Sequence, residues 1–204
     1  MRSKILPGYC TSGRKLEELG GAIVHYFSAK NVDPENMFDL ETCRDLFLDL
    51  NRPKAGRERF MKSDKWPVKR MYASAHLMID REGETWRLVE YDRQAYHAGA
   101  SILHGRPSCN RWTIGIELLG TQDSGFTSSQ YRELAKICAE LEIHQDNIAG
   151  HDLVRFQAIQ EGSSKRHKYD PSGRKDGQGD NFQWDYFHHL LNEQELLKPG
   201  AHYA

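Results

Sequence analysis

Two histidines stand in settings where an imidazole is conspicuous. His25 lies inside the apolar run Gly21 to Phe27 (GAIVHYF), and His151 closes the short run Ile148 to His151 (IAGH). A charged imidazole in such surroundings costs desolvation energy unless a partner compensates it. Each of the two, taken alone, reads equally as a hydrogen-bonded core histidine or as a ligand. A third feature is Lys168-Tyr169-Asp170-Pro171 (KYDP), in which the proline forces the aspartate before it into an extended or turn conformation. By itself this is a turn. Together, two neutral imidazoles and one carboxylate would give zinc three protein ligands and leave a fourth position for water, the pattern of a catalytic rather than a structural site.

These residues need elements to hold them. Gly21 to Phe27 reads as a strand with Ile23, His25 and Phe27 on one face and Ala22, Val24 and Tyr26 on the other. Asp33 followed by Pro34 resembles an N-cap with proline at the first helical position, and Met37, Cys43, Leu46, Phe47 and Leu50 recur at helical spacing, so a helix is predicted over 34–50. Residues 73–80 and 85–90 are strand-like runs whose short connection contains Gly83, the signature of a β-hairpin. Trp112 to Leu119 (WTIGIELL) is a further strand, in which Glu117 interrupts an otherwise small or apolar face. Thr127 to Gln130 forms a T-x-x-Q capping box ahead of the stripe Tyr131, Leu134, Ala135, Cys138 and Leu141. Ile148 to His151 reads as a short strand, 161–180 as a polar stretch, and a final helix contains Trp184, Phe187, Leu190 and Leu191. Helices interspersed with strands predict a single α/β domain with a mixed central β-sheet and flanking helices.

Composition excludes several classes. The 204 residues carry 28 Lys plus Arg against 29 Asp plus Glu, a net charge of −1, and 38% are hydrophobic. That length fits one domain. The mean hydropathy of −0.74 is polar, yet the apolar residues cluster in runs that can close a core, which argues against disorder throughout. No run approaches the ~20 apolar residues of a membrane span, and residues 1–15 lack the apolar region of a secretory signal. Synthesis as a soluble cytoplasmic protein is therefore expected. Cys10, Cys43, Cys109 and Cys138 form no C-x-x-C pair and are read as reduced thiols. Residues 51–70 hold eight Lys or Arg against Glu58 and Asp64, a block of +6 that leaves about −7 elsewhere. This basic insertion is a solvated face or a patch that attracts an anionic polymer.

The residues then carry a resemblance. AIVHYFSA around His25, SAHLMIDREGE from Ser74, AYHAG from Ala95, CNRWTIGIELLGT from Cys109, FTSSQY from Phe126, GHDLV from Gly150 and KYDP from Lys168 resemble, in the same order, the zinc-dependent N-acetylmuramoyl-L-alanine amidases. That family is related to peptidoglycan recognition proteins and phage amidase endolysins. The likeness runs over about 21–191, so the expected domain is a single amidase domain with its core there and an insertion at 51–70.

The resemblance implies that His25, His151 and Asp170 hold one zinc ion per chain, that Glu117 is the catalytic glutamate, and that Lys168 faces the reacting carbonyl. It also implies the bond cleaved, the amide between N-acetylmuramic acid and L-alanine of peptidoglycan. His76 and His97 match positions lining the cleft, with packing or hydrogen-bonding roles an equal reading for both; apart from the resemblance, Arg106, in the loop before Cys109, is a candidate partner for a stem-peptide carboxylate. Amide hydrolysis needs an activated water, a base for its proton and positive charge at the oxyanion, and these residue types supply them. Some relatives place a tyrosine where this chain has Ala75, which puts Glu117 in the lead as proton acceptor.

The expected function is thus amide hydrolysis of peptidoglycan or muropeptides, in a lytic endolysin-type role. The alternatives are a cytosolic enzyme recycling muropeptides and a non-catalytic peptidoglycan-binding module, against which the complete ligand set argues. Nucleic-acid binding through the basic block is disfavoured by a pI near 6.8 and the lack of a recognised motif. A monomer is favoured. The remaining histidines, His104, His144, His167, His202 and the pair His188-His189, read as ordinary surface or packing residues.

Overall fold

The computed structural model describes residues 2–3, 11–30, 33, 35–50 and 73–197. In chain order the first half contains β1 (Arg2–Ser3), β2 (Thr11–Gly13), β3 (Gly21–Phe27), α1 (Leu40–Leu50), β4 (Leu77–Ile79), β5 (Thr85–Arg87) and β6 (Arg93–Ala95). The second half contains β7 (Ile102–Leu103), β8 (Arg106–Pro107), β9 (Thr113–Leu119), α2 (Ser128–Glu140), β10 (Ile148–Gly150), α3 (His151–Gln160) and α4 (Trp184–Leu196). Six strands form one sheet in the order β1-β5-β4-β9-β3-β10. Four neighbours, β4, β9, β3 and β10, run parallel, while β5 is antiparallel to β4. The mixed α/β architecture expected from the sequence is the observed one.

Alternation decides what each side of this sheet does. Because β3 and β9 pair in full register, from Gly21 with Thr113 to Phe27 with Leu119, residues at matching positions point to the same side. Ala22, Val24, Ile114, Ile116, Leu118, Leu77 and Ile79 face one way and bury against α2 and α4 through Tyr131, Leu134, Ala135, Cys138, Phe187 and Leu191. Each fully buried aliphatic side chain contributes roughly 1.5–3 kcal/mol, so this layer anchors the fold. The other side carries Ile23, His25, Gly115, Glu117 and Met78. It is covered by α1 through Leu40, Cys43, Leu46 and Phe47, and by the 98–112 segment and α3 through Ala98, Leu103, Trp112 and Val154.

Several local predictions meet their physical cause. The hairpin closes because Asp80 gathers its own turn: its carboxylate accepts from the Glu82 and Glu84 amides at 3.0 and 2.7 Å, and Gly83 adopts a φ of 89°. The capping box is complete, with the Gln130 amide donating to Thr127 Oγ1 and the Thr127 amide to Gln130 Oε1.

Other expectations are corrected. The helix predicted from residue 34 begins at Leu40. Asp39 is the residue that starts it, accepting from the Thr42 amide at 3.0 Å, while the Asp33 carboxylate is occupied by Asn36 in a preceding turn. Pro34 lies outside the described residues. The run ending at His151 does not simply give way to a polar loop, because His151 opens α3. Cys43, Cys109 and Cys138 are free and buried, as expected of reduced thiols. Cys10, His202 and the basic block 51–70 lie outside the described residues.

Candidate metal centre and its surroundings

Ligands to an open parallel sheet gather toward the carboxyl ends of its strands, and the candidate residues lie in or just after the second halves of β3, β9 and β10 or come to them from a following turn. His25 is the fifth of seven residues in β3 and Glu117 the fifth of seven in β9, directly paired in register. His151 follows β10 immediately, where Gly150 pairs with Val24. Asp170 arrives on the 170–173 turn, which is tied to the start of α3. The Asp152 amide donates to the Asp170 carbonyl at 2.8 Å, and the Asp152 carboxylate accepts from the Ser172 amide at 2.9 Å and from the Ser172 hydroxyl. Gly150 permits the approach, since a Cβ there would meet Pro171 Cδ at 2.7 Å and the Asp152 carboxylate.

The three side chains converge on one point. His25 Nδ1 lies 3.0 Å from His151 Nδ1 and 3.1 Å from Asp170 Oδ2, and His151 Nδ1 lies 3.1 Å from the same oxygen. Both imidazoles are buried, at 3% and 4% exposure. A tetrahedral ion with bonds of about 2.0–2.1 Å separates its ligand atoms by about 3.3 Å, so this triangle fits a small cation with nitrogen and oxygen donors. Protonation states agree. Burial, reinforced by the neighbouring His151, lowers His25 to about 4, so its ring is neutral at pH 7. Burial also works to raise Asp170, but His151 and His25 outweigh it by charge and hydrogen bonding and hold the carboxyl well below the usual range. A neutral imidazole at His25 and an ionised carboxylate at Asp170 are the states in which these groups bind a metal. The expected ligand set is therefore brought together as a potential metal site.

Glu117 stands beside His25 and is 9% exposed. Burial pushes its carboxyl well above the ordinary value, Asp170 adds to the rise, and Lys168 opposes it. Lys168 is exposed, yet close enough for its charge to act on both Glu117 and His25. The arrangement offers a buried carboxyl as proton acceptor and an exposed cation near a metal-sized triangle.

The other candidates occupy different positions. His76 is fully buried; its Nδ1 accepts from the Gly115 amide at 2.9 Å and its Nε2 faces the Arg93 carbonyl at 3.0 Å. These backbone partners give it the packing and hydrogen-bonding role that the sequence also allows. His97 is partly exposed and touches His25, with its Nδ1 3.2 Å from His25 Nε2. Arg106 is exposed and stacks over Trp112 at 4.3 Å; among the described residues no hydrogen bond or ion pair joins it to the triad. His104 and His144 are exposed, His104 bonding the Asp146 carbonyl at 2.7 Å. Two residues important to the geometry were not singled out from the sequence, Asp152 and Asn110. Asp152 directly follows a candidate ligand, a position that signals a helix-start anchor. Asn110 accepts from the His97 and Ala98 amides at 3.1 and 2.8 Å, and no local pattern announces it.

Two histidines and an aspartate gathered at metal-ligand distances on a mixed sheet, with a buried glutamate alongside, make this an α/β protein with a potential metal site. Residues 21–173 match the N-acetylmuramoyl-L-alanine amidase family, and the chain belongs to that family. It is 34% identical over 135 residues to the 1,6-anhydro-N-acetylmuramyl-L-alanine amidase AmpD of Citrobacter freundii, a match covering 66% of this chain and 63% of that protein. The match thus spans less than two thirds of that relative's length. The crystal structure of a selenomethionine AmpD derivative superposes with a TM-score of 0.67 at 28% identity, covering 94% of both chains. A mutant endolysin from Bacillus subtilis superposes with a TM-score of 0.51 at 18% identity over 93% of this chain and 97% of its own, a likeness of fold alone. No helix among the described residues is long and apolar enough to cross a membrane.

Proposed function

We propose that this chain is a zinc-dependent amidase that hydrolyses the bond between N-acetylmuramic acid and L-alanine in small muropeptides, in a recycling rather than a lytic role. The observation that carries this reading is the convergence of His25, His151 and Asp170 on one point, with buried Glu117 paired beside His25. The recycling role replaces the endolysin role expected from the sequence. Its support is the 34% identity to a protein named for 1,6-anhydro-muramyl substrates, whereas the likeness to an endolysin rests on fold. The family match over 21–173 and the continuous six-stranded sheet also support reading 21–191 as one catalytic unit.

Two nitrogens and one carboxylate oxygen suit zinc and leave one position open. Bound there, zinc supplies Lewis acidity, which acidifies water and polarises a carbonyl. Glu117 accepts the proton of the attacking water. It then delivers that proton to the amide nitrogen as the C–N bond breaks, so that the leaving group departs as a neutral amine. Lys168 places an ammonium where negative charge develops on the carbonyl oxygen. The products are a carboxylic acid on the sugar lactyl group and a free L-alanine amine. Arg106, exposed beside Trp112, is available to a carboxylate of the peptide.

The test is cleavage of a 1,6-anhydro-muramyl tripeptide and of intact murein sacculi by the zinc-loaded protein. Rapid release of peptide from the small substrate, with sacculi nearly untouched, is expected. Lysis of sacculi with the fragment spared would restore the lytic reading. Cleavage of neither by protein that holds zinc and binds murein would indicate a recognition module.

A further inference from the structure

His25 and His151 both aim Nδ1 at the centre of the triangle, but their opposite nitrogens meet different fates. His151 Nε2 is buried without a hydrogen-bond partner among the described residues. His25 Nε2 lies 3.2 Å from His97 Nδ1, His97 Nε2 lies 3.4 Å from Thr113 Oγ1, and Thr113 Oγ1 lies 2.8 Å from the Cys109 carbonyl. The direction of this chain is set at its far end. A backbone carbonyl can only accept, so the Thr113 hydroxyl donates to Cys109. Its oxygen is then free to accept from His97 Nε2–H, which leaves a lone pair on His97 Nδ1. That lone pair accepts from His25 Nε2–H, and His25 Nδ1 is left unprotonated, facing His151 and Asp170.

The surroundings are built to hold this chain. The His97 and Ala98 amides both donate to Asn110 Oδ1, which belongs to the same 109–111 turn that supplies the terminal carbonyl. On β9, Thr113, Gly115 and Glu117 share one face. Gly115 makes room for the His97 ring, since a Cβ there would overlap its Cγ, Cβ and Cδ2. The glycine between threonine and glutamate is thus required by packing against the ring.

From this geometry we infer that His97 is a positioning residue of the metal centre: with Thr113 it locks His25 in the tautomer and ring orientation that present Nδ1 to a metal ion. The inference rests on the zinc reading of the triad. Outer partners of this kind typically change metal affinity by about 10–100-fold when removed.

The experiment compares wild type, His97→Ala, His97→Leu, His97→Asn and Thr113→Val by zinc titration against a competing chelator, with circular dichroism to confirm folding. In parallel, imidazole nitrogen NMR of the metal-free proteins reads the His25 tautomer. The expected result is a zinc affinity about 10–100-fold weaker in His97→Ala and His97→Leu, with His25 no longer held as Nε2–H. His97→Asn, whose Oδ1 restores an acceptor near the lost Nδ1, should recover much of the affinity. Leucine performing as well as asparagine would show that His97 only fills space, and would overturn the inference. So would wild-type affinity in His97→Ala. If wild-type protein binds no zinc at all, the functional reading fails by itself, and the tautomer measurement still decides whether His97 orients His25.

Discussion

The two sides of the central sheet are written by alternate residues of the same strands, yet they obey different rules. One side is closed: Ala22, Val24, Ile114, Ile116 and Leu118 lie at or near zero exposure beneath α2 and α4, in a cluster whose buried members include no charged group. The other carries His25, Glu117 and, just past the sheet, His151, all nearly as buried but each an ionisable group. Burial stabilises the first set and perturbs the second. Water expelled by Ile116 is a gain in free energy, whereas water expelled from Glu117 raises its proton affinity. Stability and chemistry are thus assigned to opposite faces, and a strand such as β9 contributes to both through a two-residue period.

This division predicts that damage on one side leaves the other's property intact. The largest effect belongs to Glu117→Gln, an isosteric change that removes the proton acceptor. Turnover should fall about 10²–10⁴-fold while zinc content by atomic absorption and thermal stability stay near wild type. A matching loss of zinc would assign Glu117 to binding and blur the contrast. On the closed face, Leu134→Ala should destabilise the fold by about 2–5 kcal/mol in denaturant titration, with turnover per folded molecule and metal affinity unchanged below the transition. A specific loss of turnover at full folding would show that the two faces are coupled.

Thr127→Ala removes half of a capping box at the start of α2, on the closed side, and is expected to lower stability by about 1 kcal/mol with no kinetic change. The smallest effect concerns the thiols. Burial pushes Cys43 and Cys138 to about 12, so at pH 8 roughly one molecule in ten thousand carries either thiolate. Each protein molecule should resist alkylation there in the native state and react fully once unfolded, as peptide mapping would report. Thiolate appears only as pH rises through 12, so stepwise labelling near neutral pH would mean that the covering helices open.

Much of this arrangement was legible in the amino-acid sequence because the relevant signals are local. The alternation of β3 and β9, the Asp80 turn and the Thr127–Gln130 box each complete themselves within a few residues. The ligand triad was legible as a set of suitable residue types, with its order taken from resemblance, while its 3 Å convergence depends on pairings far apart in the chain. What escaped was decided by tertiary contacts. In α3 the buried residues His151, Asp152, Val154 and Ala158 include two polar groups, so no clean apolar stripe marks a helix. Asp33–Pro34 carried a stronger local signal than Asp39, yet Asp39 starts the helix through the Thr42 amide. His97 was readable only as a member of AYHAG, because its partner Thr113 is reached through pairing of separated segments.

The Asp170 turn has one further consequence. His25 and Asp170 stand 145 positions apart in the chain, and they meet only when β3, the start of α3 and the 170–173 turn are all in place. An ion shared by them would act as a reversible crosslink, closing a loop of 145 of the 204 residues. Whatever binds the folded form alone shifts the melting equilibrium by mass action. The availability of the metal would then set the lifetime of the protein as well as its rate of work.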